Sequence, residues 1–280
     1  MNTVDGYSDL CQAMSAQVTR RYSTSFSIGI RLLATPLRAP IHAIYGFVRL
    51  ADEIVDTFHD HDQHALLARF RADTDRAIAA GISTNPILHS FQQVVRRHGI
   101  APSLIHTFLD SMAMDLDRRT HDRASFDRYV LGSAESVGVM CLHVFCADDP
   151  AAFERLAPAA QRLGAAFQKI NFLRDLQDDH SGLGRSYFPG LEVARMEARM
   201  RHPIEAEITD DLNAAHEGIR ALPRSSRLGV YVAYVYYRML FRKIQALPWE
   251  RLCERRVRVS DRRKLALLTS SFVKYSLGLI

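Results

Sequence analysis

Two short acidic clusters hold the residues best suited to chemistry. The first is Arg49-Leu-Ala-Asp52-Glu53-Ile-Val-Asp56, and the second is Asn171-Phe-Leu-Arg174-Asp175-Leu-Gln-Asp178-Asp179. Asp52 and Asp56 are four residues apart. On a helix their carboxylates share one face about 6 Å apart, with Arg49 one turn earlier. Asn171, Arg174, Asp175, Asp178 and Asp179 share a face in the same way. Magnesium prefers oxygen ligands, usually one or two carboxylates completed by water and phosphate oxygens. A guanidinium matches phosphate oxygens in pairs. Two such helices facing each other across a cavity would grip a diphosphate through Mg²⁺, with Mn²⁺ as a substitute, and stabilise it as it leaves. A solvated helix face would explain either cluster alone. It explains the pair poorly, because both interrupt strongly apolar segments where unpaired charge is expensive.

The elements that must position these clusters are helical. Leu66, Leu67, Phe70, Ala77 and Ile78 recur at helical spacing, and Leu156, Ala160, Leu163, Ala166, Phe167 and Ile170 form a stripe ahead of the second cluster. The stretch 230–244 is largely apolar and aromatic and predicts a buried helix. Hairpin signals are poor, since the one Asp-Gly, Asp5-Gly6, lacks alternating flanks. Breaks are expected at Thr35-Pro36, Ala39-Pro40, 81–86, 99–102, 148–150, 181–189, Pro203 and Pro223, which leaves about eight to ten helices. With 280 residues, 48% of them hydrophobic, and no repeat or long linker, the chain predicts a single all-α domain over 1–280.

The four cysteines, Cys11, Cys141, Cys146 and Cys253, form no CxxC pair and predict reduced, mostly buried thiols. The first ten residues lack a secretory pattern, and no apolar run approaches the roughly 20 residues of a membrane span. A cytoplasmic protein is expected, although a greasy substrate could bring it to a membrane surface. The net charge of +5 is concentrated in Arg251–Arg258 and Asp261–Lys264. Without zinc-finger spacing or an RNA-binding aromatic motif, nucleic acid is the weakest partner for it. The stretch Arg255 to Lys264 reads as a surface face, with an anionic membrane dock as the lesser reading. His59, His61 and His64 beside Asp60 and Asp62 read as a polar helix end rather than a metal site.

At this point the ordered motifs resemble the squalene/phytoene synthase family of head-to-head prenyltransferases. Tyr22-Ser23-Thr24-Ser25-Phe26 is similar to the family's N-terminal Ser-x-Ser-Phe segment, and Tyr45-Gly-Phe-Val-Arg49 leads into the first motif. Asp115 stands in a Met-Asp-Leu stretch. Tyr129 precedes Ser136-Val137-Gly138, where the family has a tyrosine and a Val-Gly helix break. Gln168 and Asn171 precede Arg174-Asp175, Arg185-Ser-Tyr187-Phe-Pro closes the second motif, and Ala221-Leu222-Pro223 and Tyr237 match late landmarks. Two departures are Ala134-Glu135-Ser136, where many members have Ala-Gly, and Glu53, where many squalene-forming members have Asp. Both look more like phytoene synthases.

The resemblance implies an isoprenoid synthase fold, a helical bundle around a central cavity, and a division of labour. Asp52, Asp56, Asp175, Asp179 and Tyr129 would be catalytic. Asp52, Glu53, Asp56, Asn171, Asp175 and Asp179 would hold the metal. Ser23, Ser25, Phe26, Tyr45, Arg49, Gln168, Asn171, Arg174, Arg185, Tyr187 and Tyr237 would bind isoprenyl diphosphate. The expected reaction joins two geranylgeranyl diphosphates into phytoene. The alternative is squalene or dehydrosqualene from farnesyl diphosphate, with NADPH needed only if squalene is the product. A non-catalytic assembly factor that kept the fold is the alternative of another class. Metal ligands on two separate helices argue against it.

Overall fold

The computed structural model describes residues 3–117, 120–178, 186–189, 198–254 and 256–276. Within them the chain is helical throughout: α1 Thr3–Tyr22, α2 Thr24–Arg31, α3 Thr35–Asp56, α4 Gln63–Ala80, α5 Pro86–His98, α6 Pro102–Asp117, α7 Arg123–Val130, a π-turn Leu131–Glu135, α8 Ser136–Phe145, α9 Pro150–Asp178, α10 Ala198–Ala221, α11 Arg224–Gln245, α12 Trp249–Glu254 and α13 Asp261–Ser276. The β-pairing among the described residues is one isolated bridge, Thr120 with Ser186. None of these helices is long and apolar enough to cross a membrane.

The thirteen described helices exceed the expected number for local reasons. Ser23 ends α1 and caps α2, its hydroxyl accepting from Phe26 N–H at 3.2 Å. This is the side-chain rescue of an orphan donor that favours serine at a helix start. Two expected breaks are instead absorbed. Pro40 and Pro203 sit inside α3 and α10, each the sixth residue of its helix, so each forfeits one i→i−4 hydrogen bond without ending the helix. The expected Val-Gly break is also absent, because α8 runs through Gly138. The irregularity lies just upstream as the π-turn. Gly81 and Gly99 do terminate α4 and α5, with φ of 73° and 62°, where glycine avoids a Cβ clash.

Two apolar cores flank the molecule's interior. One joins α2–α6 to α8, around Phe47 stacked on Phe91 with ring centroids 3.9 Å apart. The other joins α7 and α9–α12. On α3, Ile44, Phe47, Ala51, Ile54 and Val55 are buried in the first core, so helical periodicity turns Tyr45, Arg49, Asp52 and Asp56 the other way. On α9, Ala165, Ala166, Ile170 and Leu173 are buried in the second core. The opposite face carries Leu156, Ala160, Leu163, Phe167, Asn171 and Asp175. The two chemical faces therefore meet at the seam between the cores.

That seam is held by close backbone approach and by buried charge. A Cβ on Gly164 would lie 2.4 Å from the Ala134 carbonyl oxygen, so α9 meets the π-turn at a distance only glycine allows. Beside this contact, Lys169 lies 2.7 Å from Asp211, which has no exposed side-chain surface, and 2.5 Å from Glu207. Arg123 grips Glu207 bidentately at 2.9 and 3.0 Å, and Arg162 lies 2.8 Å from the other Asp211 oxygen. Burial raises the Glu207 carboxyl, but Arg123 and Lys169 bring it down to about 2. Glu135 faces this cluster, where burial raises its carboxyl first and Lys169 pulls it back.

Removing the ammonium with Lys169→Met should destabilise the fold by about 3–5 kcal/mol, because it leaves buried carboxylates uncompensated. Urea denaturation with an unchanged slope and a loss below about 1 kcal/mol would contradict this. Stability should also decline in mild acid. Burial, with Arg20 as a second cause, lowers His42 to about 4, while burial lowers His89. Both titrate near 6.5 when unfolded. The unfolded chain therefore binds more protons between those values, so stability is full above pH 6.5 and falls toward pH 4. The urea midpoint should be lower at pH 5 than at pH 7, and His42→Asn should flatten the difference. A midpoint that rises on acidification would contradict it.

Candidate active site

The seam opens into a cavity of about 640 Å³. Its mouth is lined by Arg49, Asp52 and Asp56 of α3, by Asn171, Arg174 and Asp175 of α9, and by Arg256. The two acidic clusters thus lie across one opening. Within each, guanidinium groups balance the carboxylates. Arg174 meets Asp175 at 2.9 Å (Nε to Oδ1) and 2.5 Å (Nη2 to Oδ2), and Arg256 Nε lies 2.7 Å from Asp175 Oδ1. Burial works against the Arg174 charge, yet Asp175 holds its pKa above the ordinary value. Arg49 pairs with Glu53, sits 3.8 Å from Asp52, and lies over the Tyr22 ring with its guanidinium carbon 4.3 Å from the centroid.

Below the mouth the wall is aromatic. Phe167 and Tyr237 stack with centroids 3.8 Å apart, and Phe26 sits against both rings and against Tyr45 at 5.9–6.3 Å. Tyr237 donates its hydroxyl proton to Asn171 Oδ1 at 3.2 Å, which fixes the amide. Burial pushes the Tyr45 phenol up to about 12, with Arg49 opposing, so it stays protonated. Deeper still the lining is small and aliphatic: Ala159, Ala160, Leu163, Gly164, Gly218, Ile219 and Leu222. The lining follows α9 from Asp175 to Leu156, nineteen residues, or roughly 28 Å at 1.5 Å per residue.

Most residues singled out from the sequence line this one cavity: Ser23, Phe26, Tyr45, Arg49, Asp52, Asp56, Tyr129, Gln168, Asn171, Arg174, Asp175, Tyr187 and Tyr237. Two do not. Ser25 is partly exposed away from the lining, and Glu53 turns its carboxylate to Arg49 rather than to the cavity. Asp179 and Arg185 lie outside the described residues, as does the Asp178 side chain. Glu135, expected near the cavity wall, faces the Lys169 cluster instead.

The sequence reading missed Arg256. It belongs to a basic run that composition alone marks as surface, and its approach to Asp175 depends on how the stretch 256–260 is held against α9. Val257 N–H donates to the Arg174 carbonyl at 3.4 Å, and Val257 and Val259 are buried. The alternation of valine and arginine over 256–259 was the available signal. The histidine cluster after the first motif is a helix start: Asp62 accepts from Ala65 N–H at 3.0 Å, and His59, His61 and His64 are exposed. Cys11, Cys141 and Cys146 are free thiols.

A donor set of carboxylates and an amide, at the mouth of an apolar cavity floored by small residues, suits a molecule with an anionic head and a long hydrocarbon tail. The comparisons agree. The family model described as squalene/phytoene synthase matches residues 19–263. A presqualene diphosphate synthase of Zymomonas mobilis subsp. mobilis is 30% identical over 264 residues, covering 88% of each chain. A phytoene synthase of Pseudescherichia vulneris is 27% identical over 287 residues, covering 92% of this chain and 89% of that one. A dehydrosqualene synthase crystallised with a ligand shares the fold, with a TM-score of 0.83 at 19% identity over 96% of this chain and 98% of its own. The chain belongs to the squalene/phytoene synthase family, prenyltransferases that condense isoprenyl diphosphates head to head.

Proposed function

We propose that this protein joins two geranylgeranyl diphosphates by a 1-1′ bond, through a cyclopropylcarbinyl diphosphate, to give phytoene. The observation that carries this reading is the pair of acidic helix faces across one mouth, above an apolar cavity that follows α9 for roughly 28 Å. A twenty-carbon chain needs more depth than a fifteen-carbon one, and each added CH₂ that is buried contributes about 0.8 kcal/mol.

Asp52, Asp56, Asn171 and Asp175 fit magnesium in kind, since all offer oxygen and each helix offers only one or two carboxylates. Among the described residues no three His, Cys, Asp or Glu side chains form a ready-made cluster, so water and substrate phosphate oxygens would complete the shell. Asp179 would extend the α9 set. Mg²⁺ held there supplies positive charge beside the departing diphosphate.

The rest is done by side chains. Arg49, Arg174 and Arg256 hold diphosphate oxygens, which requires Arg174 and Arg256 to share their pairing with Asp175. The aliphatic lining holds two prenyl tails side by side, so that C1 of one allylic cation meets the double bond of the other. The faces of Phe26, Tyr45, Phe167 and Tyr237 attract the cation, each by about 0.5–2 kcal/mol. The apolar walls limit the water that can quench it.

A second reading has its own support. The relative from Zymomonas mobilis bears the name of presqualene diphosphate, and Glu135, one of two sequence features favouring phytoene, does not reach the cavity. On that reading farnesyl diphosphate is the substrate, and the product is presqualene diphosphate or its squalene or dehydrosqualene successor. NADPH would be consumed only for squalene.

Incubation with C15 and C20 diphosphates and Mg²⁺, with and without NADPH, separates the readings. Phytoene from the C20 substrate is expected. Efficient C30 or presqualene formation with the C20 substrate ignored would replace the first reading by the second, and no condensation of either would end both. Activity should vanish in excess EDTA. Asp52→Ala and Asp175→Ala should each lose at least roughly 10²–10³ in rate while keeping the helical circular dichroism. Near-normal turnover by either variant would make its motif structural.

A further inference from the structure

A buried carboxylate outside both acidic motifs lies on the cavity wall. Asp115 of α6 is only 7% exposed, and its two oxygens accept from two different phenols. Tyr129 donates its hydroxyl proton to Oδ2 at 2.6 Å, and Tyr187 donates to Oδ1 at 3.1 Å. The three side chains come from separate segments. The bridge between Thr120 and Ser186 joins the stretch after α6 to the backbone just before Tyr187. Phe172 of α9 stacks on the Tyr187 ring with centroids 4.2 Å apart and planes 13° apart, and lies 5.8 Å from the Tyr129 ring. Asp115, Tyr129, Phe172 and Tyr187 all line the cavity. Phe172 lies one helical turn deeper on α9 than Asp175.

A carboxylate on an apolar wall is costly to keep and persists where its hydrogen bonds are met. Here those bonds do something more. With both hydroxyl protons directed at Asp115, the O–H dipoles are fixed. The phenol oxygens become more electron-rich through hydrogen bonding to an anion. Two rings with such oxygens, their centroids 5.1 Å apart and Phe172 stacked beside Tyr187, make an electron-rich box next to the Asp115 carboxylate. Burial, and then the Asp115 charge, holds Tyr129 well above its ordinary pKa, so it remains a neutral phenol.

We infer that Asp115 is a positioning residue for the cationic steps, fixing the hydroxyls of Tyr129 and Tyr187 so that their rings and oxygens face the carbocation that head-to-head condensation generates. The inference rests on that condensation, whichever prenyl length is used. Asp115 stands on α6, outside both acidic motifs and apart from the arginines assigned to the diphosphate, so its effect should fall on turnover more than on substrate capture. The cyclopropylcarbinyl intermediate must ionise again inside the cavity, and a weakened box should let more of it escape unrearranged.

The test is steady-state kinetics and product analysis on Asp115→Asn, Tyr129→Phe and the double variant, with the prenyl diphosphate that the unaltered enzyme uses. Asp115→Asn should lower kcat roughly 10–100-fold, less than the 10²–10³ typical of a direct transition-state contact, because it acts through the tyrosines. KM should stay within about threefold, and the double variant should be no more than roughly 3–10-fold slower than Tyr129→Phe, the share that Asp115 still exerts through Tyr187. The share of cyclopropylcarbinyl diphosphate released should rise if the enzyme normally rearranges it. Unchanged kcat, a rise in KM alone, or losses that multiply in the double variant would overturn the inference. If Asp115→Asn shows no cooperative thermal transition, Tyr187→Phe decides. It keeps the stack on Phe172 and should cost roughly 3–10-fold in kcat at constant KM, and wild-type kcat there would overturn the role. Failure of the unaltered enzyme to condense either substrate would sink the proposed function itself, whereas normal condensation with an indifferent Asp115→Asn would sink only this inference.

Discussion

Charge at the mouth of an apolar cavity is the constraint on which the rest of the structure depends. Asp52, Asp56 and Asp175 stand beside a hydrocarbon-lined space, where an isolated carboxylate would be expensive. The chain meets the cost by pairing. Asp175 is held between Arg174 and Arg256, and Arg49 spans Asp52 and Glu53. On the proposed function these pairs are also exchangeable. A diphosphate offers the same arginines more oxygen atoms, and a divalent cation offers the same carboxylates a stronger partner. The resting arrangement therefore stabilises the free protein while leaving the groups ready for an anionic head group.

Positioning such a mouth requires two helices that cannot drift. α3 is anchored by Phe47 against Phe91 and α9 by Ile170 and Leu173, all fully buried. The second anchor is polar. Lys169 ties α9 to α10 through Asp211 and Glu207, and Arg123 ties the start of α7 to the same glutamate. Because breaking a buried charge pair costs more than forming it gains, this cluster contributes mainly by excluding other registers of α9. It lies one residue from Gln168 and two from Asn171, on the side of the helix away from the cavity. Glu135 faces this cluster and not the cavity.

The cavity divides into levels along α9. Ion pairs occupy the mouth, aromatic rings the next turns, and aliphatic and small side chains the depths. The order matches the sequence of demands in a head-to-head condensation: release of diphosphate, survival of cations, and accommodation of tails. Asp115 with Tyr129 and Tyr187 stands at the boundary between the first two levels, against Phe172 one turn below Asp175.

Much of this was legible in the residue order. Helical spacing of apolar residues gave α9 and α11, and the Asp pair four apart, flanked by Ile54 and Val55, gave a helix with one chemical and one buried face, because local backbone geometry fixes which residues share a face. The aromatic and polar landmarks, read together with the motifs, marked thirteen of the residues that line the cavity. Other features depend on contacts between distant segments, and no local pattern records those. Glu53 could face the cavity or Arg49 by spacing alone, and a neighbouring guanidinium decided it. Arg256 looked like solvent-facing charge until burial of the neighbouring Val257 and Val259 brought it to Asp175. The π-turn replaced an expected break because Gly164 lets α9 approach the Ala134 carbonyl. Pro40 and Pro203, read locally as breaks, each forfeit one backbone bond inside helices that continue past them. Cavity depth, which no single residue encodes, was set only when Ala159, Gly218 and Leu222 were brought together by the packing of α9 on α10.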